Sequence, residues 1–183
     1  HIIWEGNSLP IRGAGRYAKG LTVYTMGMVT TKRLFLVQLL ILLGGTVFAW
    51  SNLLPQISRF QALYGTLFRF KDCVVPNPFS TACFFGSFAF LFAVLWAFDI
   101  YRRPGLTRER HLRNFLFICV TFATAVIVYE AAQYHHLVGN ALSFSCNPGA
   151  SPFATPCFYG DLVFVLAFIV AVVTTKRIAQ PAA

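Results

Sequence analysis

Residues 73–86 read CVVPNPFSTACFFG, and residues 146–160 read CNPGASPFATPCFYG. Both segments begin with a cysteine, continue through a proline-rich bend, and end in Pro-Phe-Ser/Ala-Thr-x-Cys-Phe-aromatic-Gly. A long apolar run follows each of them. The same structural unit is therefore expected twice in this chain.

The composition excludes an ordinary water-soluble domain. Of the 183 residues, 57% are hydrophobic and 11% are charged, whereas soluble domains contain about 25% charged residues. So few charged side chains cannot cover a water-facing surface, and the sequence predicts an integral membrane protein whose main partner is the lipid bilayer. The formal net charge of +9 then fits membrane orientation and anionic headgroups rather than nucleic acid.

Four apolar runs are the expected membrane spans. They cover residues 34–54, 84–100, 115–134 and 162–174, and about 20 apolar residues cross a hydrocarbon core of ~30 Å. A signal peptide is the alternative for the first run, but the retained counterpart in the second half argues against cleavage. Residues 55–72 place apolar positions at helical spacing among basic residues, which predicts an interfacial amphipathic helix or a plain connector.

Lysine and arginine counts predict the orientation of the spans. Nine basic residues flank one set of span ends: Lys32, Arg33, Arg102, Arg103, Arg108, Arg110, Arg113, Lys176 and Arg177. Three lie at the opposite ends: Arg59, Arg69 and Lys71. Because positive loops stay in the cytoplasm, both termini are expected to be cytoplasmic. Both cysteine segments are expected on the outside of a plasma or inner membrane.

A shift of 74 positions brings the two halves of the chain into register. The matched pairs are Gly65/Gly139, Phe70/Phe144, Pro78/Pro152, Thr81/Thr155, Cys83/Cys157, Gly86/Gly160 and Arg103/Arg177. Because each unit crosses the membrane twice, the two copies have the same orientation and a pseudo-twofold axis along the membrane normal. The predicted fold is an all-α integral membrane protein, a four-transmembrane-helix bundle built from a tandem duplicated two-span unit.

The same register divides the chain into segments. Residues 28–103 form the first two-span repeat with its outer cysteine loop, and residues 104–183 form the second with a short cytoplasmic tail. Residues 1–27 lack apolar periodicity and are expected to be an N-terminal tail that is not necessarily native.

Four of the five cysteines fall in the two outer segments, where an oxidising compartment would preserve disulfides. Pairing within each segment, Cys73–Cys83 and Cys146–Cys157, is the natural expectation, although four cysteines allow three connectivities. A disulfide that closes such a short loop stabilises it by about 2–4 kcal/mol. The alternative is a pair of redox-active dithiols, which more often show Cys-x-x-Cys spacing. Cys119, inside the third span, is expected to be a packing residue.

Glu130 lies near the end of the third span, shortly before His135 and His136. An ionisable group at membrane depth is a functional candidate by default, so Glu130 with a histidine could relay protons or join a cysteine at a metal. Adjacent histidines chelate poorly on a helix, and span ends often carry such residues without function. No metal site is therefore predicted.

Two aspartates have plain structural interpretations. Asp99 is expected to pair with the neighbouring Arg102 or Arg103 at the cytoplasmic interface. Asp161 is expected to begin the fourth span, where an acidic side chain suits the helix N-terminus.

The arrangement resembles the DsbB family of membrane disulfide oxidases. Four spans, cytoplasmic termini and a cysteine pair in each outer loop carry the resemblance over residues 32–177, and the string SPFATPC at residues 151–157 is similar to the second loop of that family. The Cys-x-x-Cys of that family, which vitamin K epoxide reductases also use, has no counterpart here. The resemblance implies thiol-disulfide/quinone oxidoreductase activity. It makes quinone the cofactor and assigns the electron transfer to Cys73, Cys83, Cys146 and Cys157, with Glu130 or His135 handling protons.

The sequence by itself favours a non-catalytic accessory or scaffold subunit without a cofactor, whose outer loops meet a membrane-protein partner. Two nearly identical loops suit a duplicated structural cap, whereas a redox relay needs two pairs at different potentials. The DsbB-like oxidoreductase is the alternative. A transporter or channel is a weaker one, because the spans offer few polar side chains to line a path. These are Gln38, Thr46, Thr121 and Thr124.

Overall fold

The computed structural model describes residues 14–69, 76–138 and 151–180, and the regular structure in these ranges is helical. Four α-helices occur in chain order: α1 Ala14–Tyr64, α2 Ala82–Arg102, α3 Leu106–Tyr134 and α4 Pro156–Ala179. A short 3-10 turn precedes each even-numbered helix, Pro78–Ser80 before α2 and Pro152–Ala154 before α4. In α1 the part from Thr31 to Tyr64 is long and apolar enough to cross a membrane, and so are α2, α3 and α4. The prediction of an all-helical chain with four such helices is confirmed.

A threonine precedes α2 and another precedes α4, and neither side chain makes a capping hydrogen bond. Thr81 and Thr155 are the N-cap residues, both with extended backbone angles, and both are buried. Pro156 occupies the first turn of α4, where its fixed φ suits a helix and its missing N–H costs nothing. The cysteines that follow, Cys83 and Cys157, therefore lie in the first turns of the helices, not in the outer loops where the sequence predicted them.

The first helix is longer than the predicted span. It continues through Pro55 to Tyr64, so the part of residues 55–72 predicted as a separate interfacial helix is, up to Tyr64, the end of α1. Proline removes one backbone donor, but Leu53 and Phe60 keep the same face and are both fully buried. Their burial holds the helix together across the proline.

The connection between α2 and α3 is shorter than expected. Between the predicted spans 84–100 and 115–134 the sequence suggests a basic connector at residues 104–113. Helix α3 already begins at Leu106, so the basic residues of this connector belong to its first turns. Leu112 is fully buried on this part of α3, which explains why the helix starts there. Asp99 pairs with Arg108 at 3.0 Å, which corrects the predicted pairing with Arg102 or Arg103. Arg102 instead lies over the Phe98 ring.

The four helices form a bundle in which each packs on its neighbours in chain order, and α4 closes against α1. Across the centre α2 approaches α4, whereas α1 and α3 occupy the opposite corners. Small buried side chains permit the close approach. They are Ala93, Ala97, Ala167 and Ala171. One end of the bundle holds Cys83 and Cys157, and we name it the cysteine end; the other holds Arg102 and Arg108, and we name it the basic end.

Corresponding positions are buried in α2 and α4. Three buried pairs are separated by 74 residues in the sequence: Phe90/Phe164, Ala93/Ala167 and Ala97/Ala171. The first of these pairs stacks face to face, with ring centroids 3.8 Å apart and an interplanar angle of 6°. Phe90 and Phe164, which the shift of 74 positions pairs in the sequence, thus meet in the middle of the bundle.

The outward faces of the helices are apolar. Large exposed side chains include Leu36, Leu40, Leu43, Val47, Phe92, Leu95, Phe117, Ile118, Phe122, Leu166 and Ile169. Soluble monomers rarely expose contiguous apolar surface of this extent, and such surface is typical of contact with a membrane. The bundle therefore has the outer surface that a lipid environment requires.

The contact of α1 with α2 and α4 depends on Gly45. A Cβ atom at this position would lie 2.5 Å from Phe90 and 2.8 Å from Val163, and the Phe90 ring cannot move away because it stacks on Phe164. We expect Gly45→Ala to lower the free energy of unfolding by about 1–3 kcal/mol, measured by thermal unfolding in lipid nanodiscs. The adjacent Gly44 has no atom within 4 Å of such a Cβ, so Gly44→Ala is the control and is expected to be neutral or slightly stabilising. Equal melting temperatures for the two variants would contradict this packing.

Candidate functional site

Two cysteines from different halves of the chain meet at the cysteine end. The Sγ atoms of Cys83 and Cys157 are 3.5 Å apart, whereas an S–S bond is about 2.05 Å long. The two sulfurs are therefore in contact but not bonded to each other. The predicted partners Cys73 and Cys146 lie outside the described residues, so the pairings Cys73–Cys83 and Cys146–Cys157 stay predictions.

A network around Asn77 holds the approach to Cys83 in place. The Asn77 Nδ2 donates to the carbonyl oxygens of Leu67 and Arg69, both at 2.9 Å, and its Oδ1 accepts from the Phe79 N–H, also at 2.9 Å. Thr81 then donates to the Pro78 carbonyl at 2.7 Å. These bonds join the segment that follows α1 to the 3-10 turn before α2, so the first turn of α2 is fixed against the bundle.

A cavity of about 210 Å³ opens beside the two sulfurs. All four helices contribute to its wall, and both Cys83 and Cys157 line it. The wall is mainly apolar and aromatic, with Phe48, Phe85, Phe90, Ile118, Phe122 and Phe164 among its residues. Cys119 also lines this cavity, which was not foreseen when it was predicted to be a packing residue. The site is thus a small apolar chamber with sulfur atoms in its wall, and it is open on the side where Phe85, Ile118 and Phe122 are more than half exposed.

The polar side chains in the wall differ in the hydrogen bonds that they already make. The Ser87 hydroxyl donates to the Cys83 carbonyl at 2.7 Å, and the Asn52 Nδ2 donates to the Phe48 carbonyl at 2.8 Å. Asp161 accepts from the Thr124 hydroxyl, at 3.2 Å to one carboxyl oxygen and 3.5 Å to the other. Asp161 lies inside α4 and not at its start as predicted, because the helix already begins at Pro156.

Glu130 is buried on α3, with 7% of its surface exposed. It is within electrostatic range of the Cys157 sulfur, although it is not among the residues that line the cavity. His135 and His136 are exposed at the end of α3, where His136 has a φ of 54°. Within the described ranges no three His, Cys, Asp or Glu side chains are placed to hold a metal ion.

A second polar pair lies near the basic end. Gln38 and Glu109 have 1% and 0% of their surface exposed, and their side chains interact with each other. Glu109 was missed in the sequence because it stands among arginines in the segment predicted to be a connector. Gln38 was noted only as a polar residue of the first span, and nothing in the sequence pairs the two.

Comparison with known protein families, with curated protein sequences and with solved structures finds no match for this chain. The fold and the site alone therefore define its class. In the part of the chain that the structure describes, it is all-helical, with four helices long and apolar enough to cross a membrane. At one end of the bundle, paired cysteines border an apolar cavity.

Proposed function

We propose that this chain is a membrane thiol–disulfide oxidoreductase that passes electrons between its two cysteine pairs and a quinone bound in the cavity. The observation that carries the proposal is the 3.5 Å separation of the Cys83 and Cys157 sulfurs at the wall of that cavity. A structural cap would not need the two cysteine segments to place one sulfur each against the other. Thiol–disulfide exchange does need it, because the attacking sulfur must reach the disulfide that it opens.

The proposed setting is a duplicated four-span bundle with both termini in the cytoplasm and the cysteine end outside. Basic residues concentrate at the opposite end, where Arg102, Arg108 and Lys176 end or begin helices, as the positive-inside rule expects. The counterpart contacts Phe90–Phe164 and Cys83–Cys157 support a pseudo-twofold axis along the bundle, since counterpart residues meet only near such an axis. The cysteines then lie in an oxidising compartment.

The exchange step uses the chain's own sulfurs. Starting from a Cys73–Cys83 disulfide and a Cys146/Cys157 dithiol, the Cys157 thiolate attacks the Cys83 sulfur. The bond between Cys83 and Cys157 forms while the bond between Cys73 and Cys83 breaks, and Cys73 leaves as a thiolate. Cys146 then attacks Cys157, which closes the second disulfide and releases Cys83. Two electrons have moved from the second pair to the first.

Glu130 has a defined role in this step. Only the thiolate attacks a disulfide, so Cys157 must lose its proton to a nearby base. The buried carboxylate of Glu130 is within electrostatic range of that sulfur and is the group that we assign to accept the proton. The proton returns to a departing thiolate when the exchange is complete.

The cavity fits a quinone ring. Its volume of about 210 Å³ exceeds the roughly 150 Å³ of an engineered apolar cavity that binds benzene, which leaves room for one substituted ring. Aromatic walls and a few polar groups are typical of sites for such ligands. When bound, a quinone supplies an acceptor for two electrons and two protons. Phe48, Phe85 and Phe122 would hold its ring, and Cys83 and Cys157 lie in the same wall.

Anaerobic thiol mapping tests the proposal. The reduced protein in nanodiscs is freed of reductant, mixed with a fully substituted benzoquinone that cannot add thiols to its ring, and then alkylated and mapped by mass spectrometry. We expect Cys73, Cys83, Cys146 and Cys157 to become protected from alkylation with quinone and to remain reactive without it. The Cys157→Ser variant should keep the Cys73/Cys83 pair and lose thiol–disulfide exchange between the two cysteine pairs. Full alkylation of all four thiols in the presence of quinone would refute the activity.

The accessory-subunit hypothesis stays a prediction, and the same experiment separates it from the enzyme. In a purely structural cap, quinone would not change how readily the thiols are alkylated. The transporter hypothesis receives no support from the polar side chains named for it, because Thr46 and Thr121 each donate to a carbonyl of their own helix. Thr124 contacts Asp161 at the cavity wall.

A further inference from the structure

Asp161 places a carboxyl group in the wall of the cavity, one helical turn from Cys157. Residues four apart on a helix share a face, and both of these line the cavity. The hydroxyl of Thr124 on α3 is within 3.5 Å of both carboxyl oxygens. This hydroxyl can donate to the carboxyl group when Asp161 is ionised, since a carboxylate offers only acceptors.

This carboxylate has more accepting capacity than the protein uses. An ionised carboxyl group offers about four acceptor positions, and among the described residues Thr124 supplies its hydrogen bond. Among the described residues neither polar neighbour in the wall adds one: the Ser87 hydroxyl and the Asn52 amide donate to the carbonyls of their own helices. The salt bridge found in the described ranges belongs to Asp99 and Arg108 and not to Asp161.

The two halves of the chain differ at this point. The counterpart of Asp161 at a distance of 74 residues is Ser87, and both line the cavity. One side of a mainly apolar chamber therefore carries a carboxyl group, and the other side carries a hydroxyl that already donates to its own helix. A ligand in the chamber meets a carboxyl group on the α4 side and a hydroxyl on the α2 side.

We propose that Asp161 accepts a hydrogen bond from a ring hydroxyl of the ligand, so that the cavity binds a hydroquinone or phenol more tightly than the corresponding quinone. This inference rests on the proposed function for the identity of the ligand. A quinone presents carbonyl oxygens, which are acceptors and repel a carboxylate, whereas a hydroquinone presents two O–H donors. Tighter binding of the reduced form favours transfer of electrons from the thiols to the ligand.

Binding of a matched pair of ligands tests the proposal without turnover. The probes are tetramethylbenzoquinone and tetramethylhydroquinone, which have the same ring and methyl groups, and binding is measured anaerobically by calorimetry. The background variant replaces Cys73, Cys83, Cys146 and Cys157 with alanine, which removes both proposed dithiols and adds no hydroxyl group to the cavity wall. Because a hydrogen bond to a charged group contributes about 1.5–3 kcal/mol, we expect the hydroquinone to bind at least tenfold more tightly than the quinone.

Adding Asp161→Asn to this background should abolish the preference, since the side-chain amide can donate to a quinone carbonyl as well as accept from a hydroxyl. Asp99→Asn is the control, because it removes an aspartate at the basic end, far from the cavity, and should leave the ratio unchanged. Equal binding of the two probes, tighter binding of the quinone, or an unchanged ratio in Asp161→Asn would overturn the proposal. If the preference holds but quinone fails to protect the thiols of the wild-type chain, the oxidoreductase proposal fails while the binding site stands.

Discussion

In the variant Cys73→Ser/Cys146→Ser, a disulfide between Cys83 and Cys157 is expected to form in nearly every molecule under mild oxidation. The two sulfurs are already 3.5 Å apart, so a bond of about 2.05 Å needs a shift that side-chain rotation in a helix's first turn can supply. Removal of the competing cysteines leaves each sulfur with the other as its neighbour across the bundle. A cross-half bond of this kind is the intermediate that the exchange mechanism requires.

A split chain makes that bond visible. A protease site inserted in the connection between α2 and α3, at residues 103–105, would cut the chain into its two halves. Without reductant the halves should run as one band on a denaturing gel, and reductant should separate them. The matched control Cys73→Ser/Cys146→Ser/Cys157→Ser keeps Cys119 in the cavity wall and should yield separate halves. Separate halves in the double variant would contradict the observed contact of the two sulfurs.

Closure of the cavity by Gly160→Leu is expected to lower the rate of quinone-dependent thiol oxidation at least tenfold. A Cβ atom at Gly160 lies 3.9 Å from the Phe90 ring, an ordinary contact that directs the side chain inward. Both residues line the cavity, so the added leucine takes up space that the ligand needs. The added side chain fills empty volume. It also replaces a glycine inside a helix, and glycine there is less favourable than alanine by about 0.5–1 kcal/mol. The stability of the protein should therefore not fall.

The control for this variant is Gly44→Leu. Gly44 is exposed on α1 and has no atom within 4 Å of an added Cβ, so the same substitution places a leucine on the outer face and leaves the cavity open. Melting temperatures of both variants are measured beside the oxidation rates. An unchanged oxidation rate in a folded Gly160→Leu protein would show that the cavity is not where the electron acceptor binds.

Hydropathy alone is enough to predict four helices, but not where they begin and end. Helix α3 starts within a basic segment because Leu112 and Glu109 face inward while the arginines face outward. The mean hydropathy of the segment does not show that one face of the helix is turned inward and the other outward. Pro55 suggested an end to α1, yet the buried Phe60 beyond it belongs to the same helix. In both places tertiary packing decides the helix boundary, and packing is not visible in a local window.

The shift of 74 positions pairs Cys83 with Cys157 in the sequence, and a twofold axis of the kind that we propose would bring such a pair together. The cavity could not be predicted from the sequence. It depends on how Ala49, Ala123 and the surrounding aromatic side chains fill the space between helices, and no spacing in the sequence encodes an unfilled volume. Asp161 was assigned to a helix start because the preceding Pro156 was read as part of a loop.

The near identity of the two cysteine segments suggested a symmetric cap instead of a relay. The structure shows that the halves differ in the helices behind those segments. Around the cavity Asp161 stands where the first half has Ser87, and Cys119 stands where it has Gly45. Two cysteine pairs in unequal surroundings can have unequal potentials, which a relay requires.

Anaerobic mapping of the reduced wild-type chain with a fully substituted benzoquinone tests the central claim most directly. The account predicts that quinone protects Cys73, Cys83, Cys146 and Cys157 from alkylation, with one molecule of hydroquinone formed for each disulfide. Four thiols that remain open to alkylation, with no hydroquinone formed, would contradict it.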